Sequence, residues 1–210
     1  MNKREERYAK KAEELWAFDA EYQGVFGAIC GMDEAGRGPL AGPVYAACVA
    51  FFPDHEPILR VNDSKKIPEG IREELDVKIR TQCIGHGIGQ ASVEEIAQYN
   101  ILGATRLAMK RAYAQMDLKY YMLLDGMEPN ALSLVGEGII KGDGQSYHIA
   151  AASILAKVAR DREMKRLDVK YPGYGFAQHK GYGTLAHREA LLSLGPCAIH
   201  RLDFLKGILG

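Results

Sequence analysis

Apolar and polar positions fall in blocks along this chain. Residues 2–17 place Tyr8, Ala12, Leu15 and Trp16 at i, i+4, i+7 and i+8 among lysines and glutamates, the stripe of an amphipathic helix. The runs Val25–Met32 and Val44–Phe52 predict two buried strands, joined by a loop that Pro39 and Pro43 stiffen. Pro68 opens a helix running to Gln82. Cys83–Gln90 alternates and predicts a third strand, weakened by three glycines. Ser92-x-x-Glu95 is a capping box for a short helix, and Asn100 can cap a longer one over Ile101–Met116. Tyr120–Leu124 and Gly138–Lys141 predict strands four and five. An Ala-rich helix follows from about Ser146 to Leu167. Residues 171–182 form a Gly/Tyr/His/Lys loop. Thr184 caps a helix to Leu194, closed by Gly195-Pro196, and a short helix over 200–205 comes last. A hairpin followed by alternating strands and helices predicts an α/β fold, a mixed sheet with a helical C-terminal part. Residues 1–24 are expected to be a helical extension and 25–210 one domain. The tail D-F-L-K-G-I-L-G is either a packing turn or a docking segment.

Composition sharpens this picture in three ways. The 47% hydrophobic content is enough to fill a core. No apolar stretch approaches the about 18 residues of a membrane span, and M-N-K-R-E-E-R has no apolar region behind it, so neither a transmembrane helix nor a signal peptide is expected. Cys30, Cys48, Cys83 and Cys197 are scattered without C-x-x-C and read as free thiols of a cytoplasmic protein. The net charge of zero hides an asymmetry. Residues 29–140 carry 11 Lys/Arg against 15 Asp/Glu, whereas 141–188 carry 9 against 4. An acidic body facing a basic segment fits a metal site beside a phosphate-binding face, and equally an uneven surface.

The candidate chemistry gathers at strand ends. Asp33-Glu34 follows the first strand, Asp125 the fourth and Asp143 the fifth, each with glycine within three residues. Loops converge at such ends in α/β sheets. Bare carboxylates packed together raise one another's pKa, a conflict that divalent cations resolve. Oxygen-only ligands suit Mg²⁺ or Mn²⁺, and two such ions about 3.5–4 Å apart clamp in-line displacement at phosphorus. The competing reading is that Asp-Gly pairs only mark turns. Gly36-Arg37-Gly38 suits an approaching phosphate backbone or is a plain loop; it matches neither a P-loop nor a dinucleotide fingerprint. On the helix after Asp143, Ser153, Lys157 and Arg160 share a polar stripe, either solvated or turned toward the acids. The aromatics of 171–184 can stack on sugar or base, or fold back on the core. His179 and His187, eight apart with no cysteine near, do not predict zinc.

Six motifs then carry a resemblance: G-M-D-E-A-G-R-G-P-L-A-G-P-V, D-S-K-K, L-L-D-G, K-G-D, A-A-A-S-I-L-A-K-V-A-R-D and Y-P-G-Y-G-F-A-Q-H-K-G-Y-G-T. In this order, from about residue 26 to 203, they resemble bacterial type 2 ribonucleases H, the ribonuclease HII family. Arg37 in the G-R-G argues for that branch over ribonuclease HIII. The resemblance implies a ribonuclease H-like fold, a five-stranded mixed sheet flanked by helices. It implies hydrolysis of RNA in RNA–DNA hybrids and nicking 5′ of ribonucleotides embedded in duplex DNA, leaving 5′-phosphate and 3′-hydroxyl ends. Asp33, Glu34, Asp125 and Asp143 are the implied ligands of two Mg²⁺ or Mn²⁺ ions. Gly36, Arg37, Gly38 and Tyr182 are the implied sensors of the 2′-hydroxyl. Lys65, Lys157, Arg160 and Lys180 are candidate phosphate contacts. The expected partners are RNA–DNA hybrid and ribonucleotide-containing duplex DNA, bound by a monomer with no membrane attachment. The alternatives are a non-catalytic hybrid-binding module and a metal-dependent phosphotransferase acting on small substrates.

Overall fold

A computed structural model of the chain describes residues 3–208; the first residue of the expected N-terminal helix, Asn2, and the end of the tail, Leu209-Gly210, lie outside them. Five strands, β1 (Ile29–Ala35), β2 (Val44–Ala50), β3 (Gly85–Ala91), β4 (Tyr121–Asp125) and β5 (Gly136–Ile139), form one sheet in the order β3-β2-β1-β4-β5. β1, β2 and β3 pair antiparallel, and β4 and β5 join in parallel. This is the five-stranded mixed sheet that the resemblance implies. The helices are α1 (Lys3–Phe26), α2 (Glu69–Gln82), α3 (Val93–Tyr113), α4 (Tyr147–Lys170), α5 (Phe176–His179), α6 (Leu185–Leu194) and α7 (Leu202–Leu205).

Side chains alternate across the sheet, so each face has its own core. Cys30, Met32 and Leu124 pack with Ala104, Ala108 and Met109 of α3. Ala47 and Val49 pack with Ala150, Ile154 and Leu155 of α4 on the opposite face. The glycines expected to weaken β3 have a packing role. A Cβ on Gly87 or Gly89 would lie 2.0 Å from a carbonyl oxygen of α3, so their absence lets that helix rest on the strand backbone.

The bounds of β1 and β5 differ from expectation. The apolar run at 25–32 belongs to two elements. Gly27, at φ +74°, donates its N–H to Gln23 O and ends α1, leaving Val25 and Phe26 exposed on the helix. The 24/25 boundary therefore falls inside α1, and β1 starts later and runs on through Asp33 and Glu34. The two helices expected around Asn100 are present within α3: Asn100, at φ 57°, breaks the helical path between them, and its Oδ1 caps the second by accepting from the N–H groups of Leu102 and Gly103. β5 lies two residues earlier than expected.

α1 is packed into the body rather than hanging from it. Ala12 and Leu15 join the α4-side core. Asp19 Oδ2 is fully buried and accepts from the backbone N–H of His148 at 2.8 Å, with the His148 ring Nδ1 2.6 Å away. Among the described residues no helix is long and apolar enough to cross a membrane.

Candidate active site

Asp33 and Asp125 stand level on neighbouring strands. Met32 pairs with Leu124, both facing α3, so the next residue of each strand turns its carboxylate to the α4 face. Asp143 comes from the 3-10 turn Gly142–Gly144 that leads into α4. The Gly142 N–H donates to Asp125 Oδ1 at 2.6 Å and ties that turn to β4. One carboxylate oxygen from each of the three aspartates lies within 4.8 Å of the other two. Burial, then Glu34 and Asp125, push Asp33 well above the usual carboxylate range. Burial, with Asp143 adding to it, raises Asp125 as well.

Glu34 lines the same cleft but stands outside that group of three, because alternation along β1 turns it away from Asp33. Its Oε1 accepts from Arg37 Nη1 at 3.2 Å, and its Oε2 is buried without a hydrogen-bond partner. Burial raises its pKa against the pull of Arg37. An orphaned buried carboxylate oxygen beside three crowded aspartates is what an oxygen-ligated divalent cation would satisfy. The donor set therefore fits a hard metal ion.

The cleft, about 190 Å³, is closed on one side by Gly36-Arg37-Gly38 and Tyr182 and bordered by Lys65 and Lys157. Gly36 takes φ +99°, and a Cβ there would lie 2.0 Å from Arg160 Nε. Only glycine fits both the conformation and the space. The loop rests on two buried guanidiniums. Arg160 donates to Pro43 O, Ala41 O and Lys180 O, and Arg201 donates to Gly36 O (2.7 Å), Arg37 O (3.0 Å) and Gly42 O. Burial, then the nearby Arg160, pull the Arg201 pKa down to about 9, which leaves it cationic at neutral pH.

The family model for Ribonuclease HII matches residues 30–206. A Ribonuclease HII from Syntrophotalea carbinolica is 51% identical over 177 residues, 84% of this chain and 84% of its own. One from Caldanaerobacter subterraneus subsp. tengcongensis is 47% identical over 206 residues, 97% of this chain and 85% of its own. The chain belongs to the ribonuclease HII family. It is accordingly a metal-dependent endonuclease of ribonuclease H type. Among solved structures, the PCNA:RNase HII complex from Archaeoglobus fulgidus contains a chain similar at a TM-score of 0.71 and 28% identity, covering 86% of this chain and 96% of that one. The ribonuclease H2 from Pyrococcus horikoshii OT3, 24% identical with a TM-score of 0.70 over 86% of this chain and 96% of that one, shares the fold.

Within this ribonuclease HII the four candidate phosphate contacts divide. Lys65 is exposed at the cleft mouth, with Nζ 3.3 Å from Asp143 Oδ2. Partial burial pulls its pKa down, but Asp143 outweighs that and holds it above the usual value. Lys157 borders the cleft with Nζ 2.6 Å from Asp161 Oδ1 and 5.9 Å from the Tyr182 ring centroid; burial lowers its pKa. Arg160 is corrected: it is fully buried, and its guanidinium is committed to three carbonyls, so it supports the loop instead of meeting phosphate. Lys180 is corrected likewise, since its buried ammonium donates to Ala177 O and lies 3.5 Å from Glu69. The loop tyrosines also divide. Tyr174 is buried against Phe176, whereas Tyr182 is exposed over the cleft.

Arg201 was invisible to sequence reasoning. C-A-I-H-R has no periodicity or spacing that marks a guanidinium holding a loop some 160 residues away, and only its place inside the matched region could have drawn notice.

Proposed function

We propose that this chain hydrolyses the RNA strand of RNA–DNA hybrids and nicks on the 5′ side of ribonucleotides embedded in duplex DNA, leaving 5′-phosphate and 3′-hydroxyl ends. The observation that carries this is the cleft lined both by Asp33, Glu34 and Asp125, with Asp143 grouped beside them, and by Gly36-Arg37-Gly38 with Tyr182. Asp33, Asp125, Asp143 and Glu34 are the ligands for two Mg²⁺ or Mn²⁺ ions. Bound there, such ions supply an activated water and stabilise the departing oxygen. The protein's own residues position the substrate. The 2′-hydroxyl both donates and accepts. The Gly36-Arg37-Gly38 peptide groups, fixed from beneath by Arg160 and Arg201, and the Tyr182 hydroxyl meet it from one side. Lys65 and Lys157 hold the phosphates flanking the cut.

All of these groups come from one chain, which supports a monomeric enzyme. The four cysteines are free, which suits the reducing cytoplasm in which we place it. The deciding experiment incubates the protein with a duplex containing one ribonucleotide, with Mn²⁺, Mg²⁺ or EDTA. We expect a single nick with either metal and none with EDTA; an uncut duplex under every condition would overturn the proposal.

A further inference from the structure

The acid cleft is not isolated on the surface. It shares Lys65 with a neighbouring groove of about 410 Å³ that is bordered by Lys66, Lys141 and Asp143. That groove in turn shares Lys66 with another, of about 540 Å³, whose far wall is α1. The two grooves thus step from the acid cleft to the N-terminal helix through shared lysines, and neither is lined by Tyr182.

The path is basic in a chain whose net charge is zero. Lys65, Lys66 and Lys141 lie along its first part, and Arg7, Lys10 and Lys11 line its α1 wall at helical spacing. The carboxylates nearby are largely engaged. Asp63 accepts from the Lys65 N–H at 2.9 Å and pairs with Lys66 at 3.4 Å, Glu14 lies 3.8 Å from Lys11, and Asp143 belongs to the metal-ligand set. Arg7, Lys10 and Lys141 are exposed.

The far wall is held at a fixed distance from the chemistry. Lys11 Nζ donates to Gly144 O at 3.2 Å, in the turn that carries Asp143. Further along α1, Trp16 stacks on His148 and Asp19 is buried against the same histidine, at the start of α4. A charged wall mounted this way is preorganised, so it loses little entropy when a polyanion binds. α1 also lies outside the region that the family model matches.

We propose that α1 extends the substrate track: Arg7 and Lys10, with Lys66 and Lys141, bind the phosphate backbone of the duplex where it leaves the acid cleft along these grooves. The proposal rests on the nuclease reading above for the identity of the polyanion. Phosphate contacts of this kind position a duplex without reading its sequence. They act only on substrates long enough to reach them, so one flank of the ribonucleotide gains from length beyond the cleft more than the other does.

The test is fluorescence anisotropy in EDTA, which separates binding from cutting. It uses the full chain and three duplexes with one central ribonucleotide: one long on both flanks and one truncated on each flank in turn. Arg7→Gln/Lys10→Gln changes two exposed side chains and leaves the buried face of α1 intact. On the long duplex the pair is expected to bind about tenfold more weakly at 0.15 M salt. The slope of log K against log salt should become shallower by about 2, since each phosphate contact contributes about 0.9. One of the truncated duplexes should bind wild type and variant alike, and the other should keep the full difference. Equal affinity and equal slope on the long duplex would overturn the proposal. So would an equal loss on both truncated duplexes, which would make α1 a source of general attraction only. Failure of wild type to nick with metal would count against the nuclease reading instead, and the anisotropy result stands apart from it.

Discussion

His187 and His200 meet ring to ring behind the Tyr182 backbone, with their Nε2 atoms 3.1 Å apart. The surrounding bonds fix which way each proton points. His187 Nδ1 lies 2.9 Å from Tyr182 O, which can only accept, so His187 is protonated at Nδ1 and its Nε2 accepts. His200 then donates from Nε2, and its Nδ1 accepts from the Cys197 N–H at 2.9 Å. The chain of bonds runs from the C-terminal segment to the backbone of Tyr182 and requires both rings neutral. The next residue, Arg201, holds the opposite wall of the cleft through Gly36 and Arg37.

Protonating either ring breaks a link in this relay. Burial, then His187, hold the His200 pKa down to about 4, below its unfolded value near 6.5, and burial lowers His187 as well. His179, stacked 4.3 Å from His187, adds to the crowding of cations. With a depressed folded pKa, the stabilisation is present above about pH 6.5 and is lost as pH falls through about 4. The stability advantage of wild type over His200→Phe, from urea unfolding, should shrink by about 3 kcal/mol across that window. At pH 7.5, His187→Asn, which retains a donor near the Nδ1 position, should keep more ribonucleotide cleavage than His187→Ala.

Arg201→Lys keeps the charge but cannot reproduce donation to three carbonyls. It should cost about 2–4 kcal/mol, the scale of losing charged hydrogen bonds to buried carbonyls. Activity at ribonucleotide sites should fall further than the loss of folded protein accounts for. Denaturant unfolding paired with a nicking assay on the folded fraction checks both.

Gly36→Ala meets two obstacles, a φ of +99° and the contact with Arg160 Nε. It should destabilise the protein by about 2 kcal/mol or more and displace the loop. Gly38→Ala, where a Cβ has open space, should leave thermal stability nearly unchanged. Melting temperatures of the two variants provide the comparison.

Asp33→Asn should abolish metal-dependent nicking and yet stabilise the metal-free protein. The folded pKa of Asp33 is raised above its unfolded value of about 3.9, so its contribution is fully favourable only below that value and is lost as pH rises through the folded pKa. In EDTA at pH 7 the variant should be more stable than wild type, because burial and the neighbouring acids make the ionised Asp33 carboxylate unfavourable in the folded state. The difference should narrow as pH falls toward 4. Adding Mn²⁺ should stabilise wild type and leave the variant behind. Calorimetry across pH, with and without metal, measures all three trends.

Tyr182→Phe removes the one hydroxyl that the cleft offers a ribose from this side. Nicking at a single ribonucleotide should fall about 10- to 100-fold with folding intact, because the ring stays near Lys157 and Arg160 and only its hydroxyl is lost.

The three aspartates were legible in the sequence because each follows a short apolar run and has glycine within three residues. The sheet's strand count and class were legible for a related reason, the bounded apolar runs. The start of β1 was not, because V-F-G-A-I-C-G-M is apolar throughout and only the left-handed geometry at Gly27 divides helix from strand. Lys157 and Arg160, three residues apart on one helix stripe, could not be told apart by spacing: one borders the cleft and the other is sealed beneath the loop. Arg201, His187 and His200 act through contacts between remote segments, and such contacts leave no local pattern.

The backbone around Gly36-Arg37-Gly38 and Tyr182 is stitched from three distant pieces of chain: Leu40 N–H bonds to Gly181 O, Gly42 N–H to Ile199 O, and Arg201 N–H to Leu40 O. During synthesis the acids of β1, β4 and the turn before α4 leave the ribosome well before residues 199–201 do. On the function proposed above, a nascent chain therefore completes its cutting centre before it can recognise what to cut, and discrimination between RNA and DNA is the last property the folding polypeptide acquires.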